Sequence, residues 1–265
     1  MGGSEVVAAT FNVHAGMDGY GRRFNLVAAC KKIAADVLVL QEVFSPADGP
    51  SQAAEVAQAL GYHRCELPLA RSLRTKEPMA GAPPDEWEPR RPYPSGARAL
   101  RVGLSRHRYR RPREGYEEGS WGLAILTREE PVAFEPVELG RLRRDFTRRA
   151  ALVVELPSGL TVVGTHMAHF SHGAPLLYRA LRSALPDRTR PGLLAGDMNF
   201  WGPPLELALP GWRRAVKAKT WPARRPRHQL DHLFVTSAVR VLEGAALELG
   251  DSDHLPLRAR LSLST

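Results

Sequence analysis

Near its C-terminus the chain reads Ser252-Asp253-His254, a short polar stretch directly before the apolar run Leu255-Pro256-Leu257. Polar residues follow apolar, strand-like runs at three earlier points: Asn12 after residues 6–11, Glu42 after residues 37–41, and Gly196-Asp197-Met198-Asn199 after residues 192–195. Strand ends are where α/β enzymes carry binding and catalytic residues. The pattern therefore predicts an α/β fold with its chemistry at the ends of strands.

Taken in chain order, six short motifs resemble those of the endonuclease/exonuclease/phosphatase superfamily of metal-dependent phosphoesterases. They are Phe11-Asn12-Val13, Leu40-Gln41-Glu42, Gly164-Thr165-His166, Gly196-Asp197-Met198-Asn199, Leu230-Asp231-His232 and Ser252-Asp253-His254. The resemblance spans residues 6–263. It implies a four-layer α/β sandwich, in which two mixed β-sheets pack face to face with helices outside. That family includes deoxyribonucleases, abasic-site endonucleases, neutral sphingomyelinases and inositol polyphosphate phosphatases, so the substrate stays open.

Length and composition suit one catalytic domain covering residues 1–265. A chain of 265 residues could form one large or two small domains, but the motifs extend over all of it. No apolar run approaches the roughly 18 to 20 residues needed to cross a bilayer, and the first five residues do not resemble a signal peptide. We expect a soluble, cytoplasmic monomer, with Cys30 and Cys65 as buried thiols.

The positive charge is concentrated in one segment. The formal net charge is +9, and residues 71–113 contain 12 Lys/Arg against 4 Asp/Glu, a net of +8. The surrounding stretch, residues 68–118, contains eight prolines, a composition that does not supply a packed layer. We interpret residues 68–118 as a long loop inserted between core elements.

Hydrophobic periodicity predicts the remaining elements. Helices are expected at residues 25–35, 51–60 and 175–185, with Gly61 ending the second in a left-handed conformation. Strands are expected at residues 6–11, 37–41, 121–127, 149–156, 160–166, 192–196, 231–236, 239–248 and 257–263.

Glu42 is the best candidate for a metal ligand. A carboxylate at the end of an apolar strand is costly to bury without a cation or a donor, although a solvated strand end is the alternative. The resemblance implies the metal role, with Asp253 as a second carboxylate and Asn12 either contacting the metal shell or orienting Glu42. Oxygen ligands favour Mg²⁺, with Mn²⁺ as a plausible substitute.

His254 is the candidate general base, because only histidine has an unperturbed pKa suited to accepting a proton from water near neutrality. Its partner should be a carboxylate that fixes the tautomer. The resemblance assigns this role to Asp231, for which a strand-start cap is the alternative.

Phosphate contacts are expected from a further set of polar residues. Asp197 and Asn199 alternate along an extended segment, so both side chains can point to one face. The resemblance gives Asn199 and His166 hydrogen bonds to the phosphate, and gives Asp197 either nucleophile positioning or the leaving-group proton. Arg149 resembles a phosphate-contacting arginine, although the adjacent Arg148 leaves the register open.

Four histidines have no role in the family pattern, and the sequence departs from that pattern at two places. His14, His169, His172 and His228 are expected to be surface histidines, because no cysteine accompanies the three-residue spacing of His169 and His172. Leu123 stands where many family members have asparagine, which removes a possible polar contact. The abasic-site signature of tyrosine and Pro-Asn-Gly is not visible, and this weakens assignment as a DNA-repair enzyme.

Three functions remain. The first is a Mg²⁺-dependent phosphodiesterase acting on DNA or RNA, with residues 71–113 neutralising backbone phosphates; a solvated loop is the alternative reading of that segment. The second is a phosphatase or phosphodiesterase of a small phosphorylated metabolite or lipid headgroup, favoured by the stretch from Thr220-Trp221-Pro222 to Asp231. The third is an inactive nucleic-acid- or membrane-surface-binding module, which the retention of all candidate catalytic residues argues against.

Overall fold

Apolar runs form the strands and amphipathic runs the helices of this computed structural model, which describes residues 4–19, 21–75, 116–143, 145, 147–169, 175–249 and 251–264. The strands within these ranges are β1 Glu5–Asn12, β2 Val37–Pro46, β3 His63–Thr75, β4 Tyr116–Thr127, β5 Ala133–Gly140, β6 Arg149–Glu155, β7 Thr161–His166, β8 Gly192–Asp197, β9 Arg213–Arg214, β10 Asp231–Val235, β11 Val239–Ala246 and β12 Leu257–Leu263. The helices are α1 Leu26–Ile33, α2 Gln52–Leu60, α3 Pro175–Ala184 and α4 Gly202–Ala208, and a 3₁₀ turn at His14–Gly16 follows β1.

The strands form two mixed sheets of six strands each. The first sheet has the order β11-β12-β1-β2-β4-β3, and the second has the order β5-β6-β7-β8-β10-β9. One parallel pair lies inside each sheet, β1 with β2 and β7 with β8. The parallel pairs place the carboxyl ends of β1, β2, β7 and β8 where the predicted polar residues occur.

The two sheets pack face to face around a shared hydrophobic core. Val39 and Ile125 of the first sheet lie in one cluster with Leu152 and Leu193 of the second, and all four are almost fully buried. The sheets therefore form the two inner layers.

Helices cover the outer face of each sheet. Cys30 and Ile33 of α1 and Val56 of α2 pack on the first sheet, in a cluster with Phe11 and Leu38. Leu181 of α3 and Leu205 of α4 pack on the second sheet, in a cluster with Leu194 and Phe234. This arrangement confirms the predicted four-layer α/β sandwich.

The helix boundaries follow local capping signals. The side chain of Asn25 accepts a hydrogen bond from the N–H of Ala28, and that of Ser51 accepts one from the N–H of Ala54. Gly61 ends α2 with a φ of 68°, as predicted. Both cysteines are free and buried, also as predicted.

The predicted loop at residues 68–118 is wrong at both of its ends. β3 continues to Thr75 and β4 begins at Tyr116, whereas residues 76–115 lie outside the described part. β3 is an edge strand, and Pro68 lies at an irregularity of its pairing, a position where a strand tolerates proline. Among the described helices, none is long and apolar enough to cross a membrane.

Gly196 allows the two central strands of the second sheet to approach each other. It has a φ of 152°, and a Cβ added there would lie 1.9 Å from the backbone oxygen of Thr165. We expect Gly196→Ala to lower the free energy of unfolding by about 2 kcal/mol or more, because backbone cannot easily move away. Urea denaturation would measure the loss.

Gly159→Ala is the matched control, since Gly159 also has a positive φ of 79° but no heavy atom within 4 Å of an added Cβ. Its cost should be only the left-handed backbone strain, about 1 kcal/mol. Equal losses for the two variants would contradict the steric argument.

Candidate active site

The register of the second sheet brings three predicted residues into one row. His166 at the end of β7 pairs with Asp197 at the end of β8, and Asp197 also pairs with Asp231 at the start of β10. All three side chains are nearly inaccessible to solvent. One edge of this sheet therefore presents an imidazole and two carboxyl groups side by side.

Asn12 and Glu42 lie at the corresponding edge of the first sheet. Asn12 ends β1 and pairs with Gln41, while the register between β2 and β4 shifts at residue 42. Glu42 occupies this bulge with a φ of 56°, a left-handed conformation that is uncommon for glutamate and clusters at functional sites. Because of the bulge, the Glu42 side chain does not follow the alternation of side chains between the two faces of the sheet.

The Asn12 side chain connects the two sheets. Its Nδ2 donates to Glu42 Oε1 at 3.2 Å and to Asp197 Oδ2 at 3.0 Å. Its Oδ1 accepts a hydrogen bond from the backbone N–H of His14 at 3.0 Å. Asn12 thus holds one carboxylate from each sheet in a fixed relation.

The segment before β12 delivers His254 to the same place. His254 Nδ1 donates to Asp231 Oδ2 at 2.8 Å, which leaves Nε2, 3.9 Å from Asp197 Oδ2, as the free nitrogen. Ser252 holds the segment against β1, because its hydroxyl donates to the backbone oxygen of Asn12 at 2.8 Å.

Thr220 holds the backbone next to Asp231 and the backbone next to His254. Its hydroxyl oxygen accepts hydrogen bonds from the backbone N–H groups of Leu230 and Asp231, and its carbonyl accepts one from Leu255. The stretch beginning at Thr220 therefore joins the strand that carries Asp231 to the segment that carries His254.

The buried charges shift each other's pKa values. Burial alone would lower the pKa of His254, but the neighbouring carboxylates of Asp231, Asp197 and Asp253 raise it well above its ordinary value. Burial, together with the charge of Asp231, raises the pKa of Asp197 to about 7. An Asp197 carboxyl group with this pKa can hold a proton near neutral pH.

His166 is held neutral in a polar contact with Asn199. Burial and the positive charges of Arg149 and His254 lower the pKa of His166 well below its usual value. Asn199 Nδ2 lies 3.1 Å from His166 Nε2 and also donates to the backbone oxygen of Met167 at 2.9 Å. The predicted phosphate contacts His166 and Asn199 are thus in direct contact with each other.

Arg149, not Arg148, belongs to the site. Arg149 is 8% exposed, its Nε donates to Asp145 Oδ2 at 2.7 Å, and it donates to the backbone oxygen of His166 at 3.1 Å. Arg148 is exposed and pairs with Glu138. The buried ion pair resolves the register that the sequence left open.

A cavity of about 300 Å³ opens beside these groups. It is lined by Ala15, Glu42, Ser72, Trp121, Arg149, His166, His169 and Asn199. Sequence reasoning missed Ala15, Ser72 and Trp121 as site residues, and it did not predict that His169, a partly exposed histidine, lines the cavity. Trp121 contacts the His166 ring edge-on, with centroids 5.4 Å apart, whereas Leu123 is fully buried. The available signal for Trp121 was its position in the sequence two residues before Leu123, which had already been compared with the family pattern.

The predicted metal ligands fit a hard cation by their chemistry. Glu42 and Asp253 offer carboxylate oxygens, and no lysine or arginine in the described ranges pairs with either of them. A second group, Asp197, Asp231 and His254, has possible ligand atoms within 4.8 Å of one another. That group is already engaged in the His254–Asp231 hydrogen bond, and the metal roles of Glu42 and Asp253 stay predictions.

The two-sheet fold, with acid, amide and imidazole groups at its strand ends, is typical of phosphoesterases. The model of the Endonuclease/Exonuclease/phosphatase family matches residues 9–254, and the chain belongs to this family. Its members are hydrolases of phosphate esters. No curated protein matches the chain.

Solved structures share the fold at low sequence identity. An endonuclease/exonuclease/phosphatase from Beutenbergia cavernae is 23% identical with a TM-score of 0.63, and the match covers 98% of this chain and 72% of that one. The human Nocturnin catalytic domain, solved with a bound sulfate anion, is 17% identical with a TM-score of 0.60, over 98% of this chain and 95% of that one. ANGEL2, a 2′,3′-cyclic phosphatase in complex with adenosine-2′,3′-vanadate, is 14% identical with a TM-score of 0.60, over 99% and 97%.

Proposed function

We propose that this protein is a divalent-metal-dependent phosphodiesterase that hydrolyses nucleic acid, with Mg²⁺ as the expected ion. The observation that supports hydrolysis best is the 2.8 Å hydrogen bond between His254 Nδ1 and the buried Asp231. It leaves the other imidazole nitrogen, Nε2, 3.9 Å from Asp197 Oδ2. The same arrangement disfavours an inactive binding module, which would not need a tautomer-fixing carboxylate.

In this proposal, His254 accepts a proton from the attacking water. Asp231 fixes the tautomer, so that Nε2 is the accepting atom. Glu42 and Asp253 would hold a divalent cation, which would supply neutralisation of the phosphoryl oxygens.

The other residues hold the phosphate and handle the second proton. We assign contacts with the phosphoryl oxygens to His166, Asn199 and Arg149, which line one cavity. Asp197, whose pKa is raised to about 7, supplies the leaving-group proton. Asn12 orients Glu42 and Asp197 through its amide hydrogens.

The charged segment supports nucleic acid as the substrate. Ser72 of β3 and Trp121 of β4 line the cavity, and Thr75 pairs with Tyr116 at the far ends of the described strands. Thr75 lies three residues beyond Ser72, about 10 Å along a strand. The segment with a net charge of +8 is therefore attached close to the cavity. The related fold of ANGEL2, solved with adenosine-2′,3′-vanadate, can hold a nucleotide ester.

Changing four arginines of this segment to serine should weaken DNA binding and flatten its salt dependence. The substitutions are Arg106→Ser, Arg108→Ser, Arg110→Ser and Arg111→Ser, all outside the described residues. Counterion release gives a log–log salt slope of about −0.9 per duplex phosphate neutralised, so fewer contacts mean a shallower slope. Titration of fluorescent duplex DNA at several salt concentrations measures both quantities, while hydrolysis of bis-(p-nitrophenyl) phosphate should persist.

A control variant removes the same charge elsewhere. Arg179, Arg182, Arg188 and Arg190 are exposed, and the last two precede β8, at the opposite end of that strand from Asp197. Their replacement by serine should change affinity and slope much less. If the two quadruple variants bound DNA alike, the proposed role of the 71–113 segment would be rejected.

A small phosphate ester is the second candidate substrate, favoured by the size of the cavity. About 300 Å³ is at the lower end of pockets for small molecules. A panel of plasmid DNA, RNA, inositol phosphates, sphingomyelin and bis-(p-nitrophenyl) phosphate, assayed with Mg²⁺, separates the two. Turnover of an inositol phosphate or sphingomyelin without turnover of either polynucleotide would favour this second candidate.

A further inference from the structure

The turn after β1 places His14 beside Asp253. His14, Ala15 and Gly16 have φ values of 45°, 54° and 74°, so three successive residues adopt a left-handed conformation. The turn is held by the hydrogen bond from the His14 N–H to Asn12 Oδ1 and by a 3.4 Å hydrogen bond from Arg74 to the Ala15 carbonyl. His14 was predicted to be a surface histidine; its side chain is partly exposed and also lies beside Asp253.

One nitrogen of the His14 ring lacks a hydrogen-bond partner. The side chain is 41% exposed overall, but its Nδ1 atom is buried and has no hydrogen bond within the described residues. The nearest carboxylate atom, Asp253 Oδ1, is 3.5 Å away, beyond the usual N–H···O range. Buried polar atoms without partners are rare and often mark the place of an ion or a water molecule.

We propose that His14 Nδ1 and Asp253 Oδ1 bind the same divalent cation, and that the imidazole makes the site selective for Mn²⁺ over Mg²⁺. This inference rests on the proposed function and replaces its expected Mg²⁺ by Mn²⁺ as the preferred ion. Mn²⁺ shares the preference of Mg²⁺ for oxygen ligands, but affinity for nitrogen ligands rises along the transition-metal series to which Mn²⁺ belongs.

The separation of the two atoms suits neighbouring ligands of one ion. In octahedral coordination, ligand atoms about 2.1 Å from the ion and at right angles lie about 3 Å apart. The observed 3.5 Å needs only a small approach of the two side chains. The turn also borders the cavity that Glu42 lines, because Ala15, the residue after His14, lines that cavity too.

Metal binding to the full-length, metal-free protein tests the inference without any substrate. The electron paramagnetic resonance signal of free Mn²⁺ gives the Mn²⁺ affinity, and competition gives the Mg²⁺ affinity. His14→Ala should weaken Mn²⁺ binding by at least about 10-fold, the scale of losing a metal-site partner. Because Mg²⁺ favours oxygen ligands, its affinity should fall much less. His63→Ala, which removes an exposed histidine at the start of β3, should leave both affinities unchanged.

Pulsed resonance of bound Mn²⁺ identifies the ligand directly. The wild-type protein should show coupling to an imidazole nitrogen, and His14→Asp, which offers oxygen instead, should lose it while still binding both ions. Absence of the coupling in the wild type, or its persistence in His14→Asp, would overturn the proposal even if His14→Ala does not fold. A wild type that shows the coupling but hydrolyses no phosphate ester would refute the proposed function and leave this metal site standing.

Discussion

Replacing His254 by alanine is expected to lower the rate constant for hydrolysis by about 10²- to 10⁴-fold, the usual scale for losing a positioned general base. The His254 ring is the group whose Nε2 remains free after Nδ1 binds Asp231. Single-turnover hydrolysis of a diester at saturating metal concentration measures the chemical step.

Two further variants make this result interpretable. Asp231→Asn should also slow the reaction, because an amide nitrogen facing Nδ1 donates to it and favours the opposite tautomer. His228→Ala removes an exposed histidine and should retain wild-type rates. Wild-type turnover in a folded His254→Ala protein would eliminate the proposed dyad.

Removing the metal should abolish turnover altogether, and Glu42→Gln should lower it by at least about 10²-fold. Glu42 is the carboxylate that the β2 bulge turns out of the strand, and no arginine or lysine in the described ranges neutralises it. Activity with Mg²⁺, with excess EDTA, and after Mg²⁺ is restored to the chelated protein would be compared.

Glu130→Gln, at an exposed position, serves as the matched control and should behave as the wild type. Recovery on adding Mg²⁺ back distinguishes loss of the ion from irreversible unfolding. Activity in excess EDTA equal to that in Mg²⁺ would show that the reaction does not use a metal.

The buried elements of the fold could be predicted from the sequence, whereas of the four edge strands in the described ranges only β11 was predicted. β1, β2, β8 and β12 are strands with strong apolar patterns, and the prediction places them within about one or two residues, except that β2 continues past Glu42. β5 was missed, because it lies at a sheet edge with mostly exposed side chains and contains Pro136. α4 was missed because it is short and begins with two prolines.

The residues of the candidate site also divide into those that the sequence predicted and those that only the structure revealed. Residues within motifs were predicted, and the structure brings Asn12, Glu42, His166, Asp197, Asn199, Asp231 and His254 into one connected set of contacts. Ser72 lies in the part of β3 that the sequence analysis had assigned to a loop, and β4 begins at Tyr116, five residues before Trp121. No local sequence pattern indicated that these two strands extend this far. His14 lies in a left-handed turn. The sequence around His14 does not predict such a turn.

The hydrogen bond between the Ser252 hydroxyl and the Asn12 carbonyl joins residues 240 positions apart in the chain. During synthesis, Asn12 therefore leaves the ribosome long before Ser252 and His254. A growing or prematurely terminated chain that stops before residue 254 lacks the imidazole that pairs with Asp231, whatever part of the two sheets has already folded. Any activity that depends on His254 therefore begins only after translation has passed residue 254.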